Sequence, residues 1–470
     1  MLGTSGNLLR FVLDPLNYVE RLFAEHGPVA ALVRGRSRRV ASPGRDTPAV
    51  VFVHGPELNR AVLTDHERFH KTALSGPLYP KDEKNARTRP LRRLLTGLFH
   101  VNGDTHRRHR RLLMPAFHKS RIESYVGDMV ALTEEVAQTF QAGSVRNLRD
   151  DMTELTLRIV TKTLFGSDLR EQGLAIAREL SAWLGVFRAS ASLPLDVPGL
   201  PYRRFLDLSQ SVDRRLVELI AARRRLERPG DDMLSMLLEA HDETGARLAD
   251  DELIGHAGVI FAAGHETSSN ALCWTIFLLS QHPEVADALA EEVSATLHGE
   301  PPTLETLAAL PLLERVIKES LRLFPPAPMN HRLATVDCEI GGFSIPGSSE
   351  VISSIYHTHR QPEIYPEPRR FLPERWKNFE PGPFAYNPFG VGPRMCIGAT
   401  FAMMELKIVL AILLQRFRFE LVQEQRLDRF VSIVMTPSPE MRVRLHPAGT
   451  RPELRAQPRR GNVWNMVALD

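Results

Sequence analysis

The chain has 470 residues, 43% apolar and 24% charged, with a formal net charge of +3. These values are those of an ordinary globular protein and exclude a disordered or low-complexity polypeptide. So small a net charge also excludes the strongly basic field that a nucleic-acid partner requires.

Taken in chain order, the first 27 residues contain no apolar run near the ~18–20 needed to cross a bilayer. They also lack a basic segment followed by an apolar one. Neither a membrane anchor nor a secretory signal is therefore expected, and the expected location is the cytoplasm. Strand-like runs follow from Val29 to Val33 and from Val50 to Val53, separated by an Arg-rich insert punctuated by Pro and Gly. Residues 87–121 then carry ten Lys or Arg against one acid, Asp104. Such a stretch is either a solvated face or a docking surface for an acidic protein.

From about residue 104 to about 325 the pattern is mostly helical. Leu253 to Leu279 is its most apolar part, with Asp250 and Asp251 as capping signals and Pro283 as the stop. A helix of ~30 residues would be about 45 Å long. The string Gly264-His265-Glu266-Thr267 in its middle is costly in lipid and marks a buried site instead. Residues 337–357 read as hairpins turning at Gly341-Gly342 and Pro346-Gly347, and 362–393 as Pro-rich loop. An amphipathic helix follows from about 397 to 416. The expected architecture is mainly α with a small β-rich lobe. No mid-chain linker supports a division, so 1–446 is expected to be one domain and 447–470 a loosely held extension.

Three cysteines, Cys273, Cys338 and Cys396, are too few for a disulfide framework, and no pair has the spacing of a zinc site. Cysteine chemistry here would belong to one sulfur. Around Cys396 the chain reads Pro388-Phe389-Gly390-Val391-Gly392-Pro393-Arg394-Met395-Cys396-Ile397-Gly398. Glycines and a proline set a tight loop, and a helix starts just after it. The first N–H groups of a helix lack internal partners and can favour a thiolate.

This string resembles the haem loop of the cytochrome P-450 family, F-x-x-G-x-R-x-C-x-G, at every fixed position. The resemblance covers roughly residues 20–445 and implies the cytochrome P-450 fold, with haem b bound and Cys396 as thiolate ligand of its iron. Pro388, Phe389, Gly390 and Gly398 would frame the cofactor. Glu319 and Arg322 look like the family's E-x-x-R pair, one face of a helix at i, i+3, and Arg375 in Pro373-Glu374-Arg375-Trp376 would join them. Ala263-Gly264-His265-Glu266-Thr267 is similar to the family's oxygen-activation motif. Gly264 can admit a ligand close to the backbone, and Thr267 can hydrogen-bond the carbonyl of Ala263. Glu266 and Thr267 are the expected proton-relaying pair. His106, Arg110, Arg332 and Arg394 are the expected partners of the haem propionates, because arginine suits a buried carboxylate.

The implied activity is insertion of one atom of dioxygen into an apolar compound, in a cytoplasmic, monomeric enzyme. Electrons would come from NAD(P)H through a separate ferredoxin or flavodoxin with its reductase, docking near Arg107, Arg108 and Arg111. Phe99, Val259, Ala263, Ala327, Met329, Ile433 and Val434 are the expected substrate-pocket residues. Their apolar character suits a fatty acid, terpenoid, steroid or macrolide, with the Ala-Gly-His-Glu-Thr string favouring fatty acids. A peroxide-driven peroxygenase and a non-catalytic haem sensor are the alternatives; the first usually lacks the acid–alcohol pair and the second needs none.

Overall fold

The computed structural model describes residues 3–38, 46–71, 85–166, 170–192, 194–225, 230–452 and 459–469. Most of the Arg-rich insert, 39–45, lies outside them. The long helix Asp250–Gln281 is the organising element. Every residue from Ser268 to Leu279 is buried, the pattern of a helix enclosed on all sides. It packs on helices Leu148–Phe165, Pro311–Leu323 and Ala399–Arg416.

The start of this helix differs from expectation. Ala249 is the cap, and Glu252 reaches back to accept its N–H at 2.8 Å. Asp250 and Asp251 are instead engaged by Arg224 and Arg93. The helix stops at His282, ahead of Pro283, as proline's missing donor requires.

The β-rich lobe is a five-stranded sheet in the order Val29–Arg38, Asp46–Val53, Glu350–Ser354, Met329–Ala334, Phe69–His70. Among the described strands of this sheet, only Asp46–Val53 and Glu350–Ser354 pair in parallel. The hairpin expected within 337–357 is confined to Cys338–Ile340 with Phe343–Ile345. Glu350–Ser354 is buried at every position and enters the main sheet, as suits a central strand.

The tail also departs from its reading as loosely held. Val463, Met466 and Val467 belong to the main core, and the Trp464 ring meets Phe277 of the long helix edge-on at 5.5 Å. Their helix-like spacing is hidden in an Arg- and Pro-rich composition. No described helix is long and apolar enough to cross a membrane.

Candidate active site

The Cys396 loop is shaped by close approaches of bare backbone. Gly390 and Gly392 have φ of +71° and +76°, and a Cβ at Gly392 would lie 2.6 Å from the Leu63 carbonyl oxygen. Cys396 N–H donates to Phe389 O at 2.8 Å, closing the loop beneath the sulfur. The following helix begins at Ala399, two residues later than expected, with Gly398 as its cap. The Cys396 side chain is open to the cleft, yet it lies deep within the protein. Burial pushes its thiol up, and the Gly398 N–H with the Arg110 charge offsets only part of that rise. A metal cation at the sulfur would favour the thiolate.

Arg394 ties this loop to the turn ahead of helix Gly103–Leu113. It donates to Leu98 O at 3.0 Å, to Asn102 Oδ1 at 2.6 Å and to Val101 O. The same turn touches the long helix, because a Cβ on Gly97 would meet Gly255 O at 2.4 Å and Val259 Cγ2 at 2.5 Å. Cysteine loop, turn and long helix thus surround one space.

That space is lined by cations. Arg110 donates to Met395 O at 2.8 Å, and Arg332, 3% exposed, donates to His331 O at 2.9 Å. Burial pushes Arg332 down to about 10, and burial with Arg332 and Arg110 does the same to Arg394. Burial, Arg394 and Arg110 push His106 down to about 3, and its Nε2 has no hydrogen-bond partner. None of Arg110, Arg332 and Arg394 forms an ion pair with a carboxylate of the described residues. One buried and two half-buried arginines beside an orphaned ring nitrogen suit an anionic group with more than one carboxylate. Haem, with two propionates and an iron for the sulfur, fits this donor set.

Sequence reasoning missed part of the cluster. Lys71 is pushed down to about 7 by burial and by Arg332 and Arg394. His100 and His331 each leave Nδ1 unpartnered. Nothing in the sequence around Lys71 marked it; its place follows from Asn102, which holds the Lys71 backbone on both sides at 2.9 and 3.0 Å.

On the long helix, Thr267 donates to Ala263 O at 2.7 Å, as expected. Burial pushes the Glu266 carboxyl up, only partly offset by Arg149. A Cβ on Gly264 would meet Val160 Cγ2 of the neighbouring helix at 2.9 Å. His265 is buried and held at both ring nitrogens, by Phe261 O at 3.0 Å and Ser181 Oγ at 3.2 Å. Its carbonyl accepts the Thr156 hydroxyl at 3.0 Å.

Among the expected pocket residues, Phe99 and Ile433 are exposed, and Val259, Ala263, Ala327 and Val434 are half-buried. Met329 is buried in the sheet opposite Ser354. The basic docking stretch is less free than its composition suggested. Arg107 pairs with Asp104, Arg108 with Asp242 at 2.7 Å, and Arg111 with Glu243. These acids come mostly from distant segments, so a local charge count overstated the field.

The fold and this cationic cleft define the haem-thiolate class. A family model for Cytochrome P450 matches residues 6–444, and the chain belongs to that family. It is 32% identical over 426 residues to a Cyclooctat-9-en-7-ol 5-monooxygenase of Streptomyces melanosporofaciens, covering 88% of this chain and 87% of the relative. It is also 32% identical over 421 residues to a Pentalenene oxygenase of Streptomyces avermitilis, with 88% of each covered. The solved structure of retinoic acid-bound cyanobacterial CYP120A1 superposes with a TM-score of 0.80 at 26% identity, over 94% of this chain and 96% of that one. The protein is a haem-thiolate monooxygenase, as its family and relatives define.

Proposed function

We propose that Cys396 is the iron ligand, that His106, Arg110, Arg332 and Arg394 hold the two propionates, and that the substrate is a terpenoid. The observation that carries the first two points is the arginine cluster beside the cysteine loop, half-buried except for the buried Arg332 and lacking any described carboxylate to neutralise it. Cys273 is a poor alternative ligand, since it is fully buried in the core and burial pushes its thiol up to about 12. The bound haem supplies reductive activation of dioxygen.

The chain's own residues do the rest. Arg332, Arg394, Arg110 and His106 orient the cofactor by its carboxylates. Thr267 and Glu266 handle protons on the long helix: the hydroxyl is anchored on Ala263 O, and burial pushes the Glu266 carboxyl up, towards the protonated form. Phe99, Val259, Ala327 and Val434 offer apolar contact, which suits a hydrocarbon skeleton. Terpenoid oxygenases among the relatives favour that class over the fatty acids that the motif string suggested. Electrons come from a separate ferredoxin or flavodoxin with its reductase. We place its docking near Arg107 and Arg111, whose side chains stay 52% and 63% exposed despite their ion pairs. The site is cytoplasmic and the enzyme acts as a monomer on this reading.

The test is spectroscopic. The reduced carbon monoxide adduct of the native protein should show the red-shifted Soret band of thiolate ligation, and Cys396→Ser should abolish it. A band at the same position in that variant rules Cys396 out. A panel of a sesquiterpene hydrocarbon, a diterpene alcohol, retinoic acid and a long-chain fatty acid should give the ferric low-to-high-spin shift with the terpenoids. A shift with the fatty acid alone overturns the substrate assignment. Turnover with peroxide as fast as with dioxygen and reductant would favour a peroxygenase, against which Glu266 and Thr267 stand.

A further inference from the structure

The described C-terminal residues 459–469 grip the base of the small hairpin formed by Arg429–Val431 and Met435–Pro437. Leu427 N–H donates to Arg460 O at 2.9 Å, and Val463 N–H donates to Leu427 O at 3.4 Å. Between these, Asn462 is bonded three times. Its N–H donates to Asp428 Oδ1 at 2.8 Å, its Oδ1 accepts Arg429 N–H at 2.6 Å, and its Nδ2 donates to Arg429 O at 3.3 Å. Gly461 has φ +106°, and a Cβ on it would lie 2.0 Å from the Leu427 carbonyl oxygen. Only glycine permits that approach.

Both sides of the grip are fixed. Val463, Met466 and Val467 are embedded in the core, and Ala468 N–H donates to Arg369 O at 2.8 Å. The second hairpin strand leans on the long helix and on the segment just before Ala327. Trp274, two turns beyond Thr267 on the long helix, donates Nε1–H to Met435 O at 3.3 Å, and Met435 N–H donates to Pro326 O at 2.8 Å. Pro326 precedes the pocket candidate Ala327. The tip beyond, Ser432 to Val434, carries Ile433 with 59% of its surface exposed. Two strands of three residues each do not hold a conformation alone in water. Their direction is set by what clamps the base.

We propose that the C-terminal segment is a clasp that aims this hairpin, with Asn462 as the positioning residue, so that the Ile433–Val434 tip closes on bulky apolar ligands beside the haem. The proposal rests on the haem-thiolate reading of the site. It adds a specificity determinant outside the matched region 6–444.

The experiment uses the full-length holoprotein and its Asn462→Ala variant, with Gly461→Val as a second disruption of the same contact. Amide hydrogen exchange over 427–437 reports the hairpin directly. Binding of imidazole and of clotrimazole, both followed by the Soret shift, separates a small iron ligand from a bulky one. In Asn462→Ala the Leu427 and Arg429 amides should exchange about tenfold faster and clotrimazole should bind about tenfold more weakly, with imidazole changed less than about twofold. Unchanged exchange, or equal weakening of both azoles, overturns the proposal. Should Gly461→Val not fold, Asn462→Ala still decides. If the native carbon monoxide adduct lacks its thiolate signature, the site reading fails, whereas the exchange result still judges the clasp.

Discussion

Glu319 and Arg322, both fully buried, meet through two parallel hydrogen bonds of 2.8 Å on one face of helix Pro311–Leu323. The same carboxylate also accepts Leu372 N–H at 3.0 Å, Arg375 Nε at 3.2 Å and Trp376 Nε1 at 2.9 Å. Arg322 in turn donates to the carbonyls of His359, Pro368 and Arg370 at 2.9, 2.7 and 3.1 Å. Two side chains thus nail the irregular 359–376 segment to a helix. Removing one partner leaves the other charged and buried, at a cost of about 3–5 kcal/mol. Glu319→Gln should therefore lower the melting temperature sharply and reduce the yield of haem-loaded protein; a variant that melts like the native protein contradicts this.

That network also fixes an acid limb of stability. Burial pushes the Glu319 carboxyl up, but Arg322 and Arg375 pull it further down, so it sits below the usual range. A depressed carboxylate stabilises the fold above the ordinary carboxylate pKa, and the contribution fades as pH falls below about 4. Unfolding midpoints measured from pH 6 to pH 3 should fall steeply in the native protein and less steeply in Glu319→Gln.

Glu405, on helix Ala399–Arg416, behaves in the opposite sense. It is fully buried, and burial pushes it up to about 8, with the nearby Ser268 hydroxyl offsetting part of the rise. A raised carboxyl favours the fold while protonated, so its contribution is complete below about pH 4 and is lost as pH rises towards 8. Glu405→Gln should leave stability at pH 5 nearly unchanged and raise it at pH 8 by a few kcal/mol, roughly. Parallel melting curves at the two pH values check the sign.

For Thr267→Ala, the hydroxyl on Ala263 O is removed while the apolar contacts of the cleft remain. Substrate-induced spin shift should persist, and product formed per reductant consumed should fall about tenfold or more, with hydrogen peroxide making up the difference. Oxygen-electrode and peroxide assays decide it; unchanged coupling would remove Thr267 from proton handling.

Arg332 gives up water for a single backbone carbonyl, His331 O, and stands ready for a carboxylate. A charge-assisted hydrogen bond of this kind is worth about 1.5–3 kcal/mol. Arg332→Gln should accordingly release haem to apomyoglobin about tenfold faster or more, and equal rates would place the propionates elsewhere.

The legible part of this protein was local. Cysteine loop, E-x-x-R pair and acid–alcohol string each fit within a dozen residues, where spacing alone sets which groups share a face or a turn. The less legible part crosses the chain. The close approach of Gly264 to Val160 of the neighbouring helix has no mark in the sequence. The basic stretch was read as either a solvated face or a docking surface, and Asp242 and Glu243 neutralise two of its arginines from more than a hundred residues away.

By itself, then, the sequence determined the family, the glycine-punctuated cysteine loop and the long helix, because short-range backbone geometry writes those features as residue strings. Tertiary structure alone decided that Lys71, His100 and His331 join the cationic cleft, that Glu350–Ser354 enters the main sheet, and that the Arg-rich tail docks on the core. The physical reason is the range of the forces involved. Burial and charge sum over everything within a few ångströms in space, and a one-dimensional order of residues does not record which of them will be neighbours.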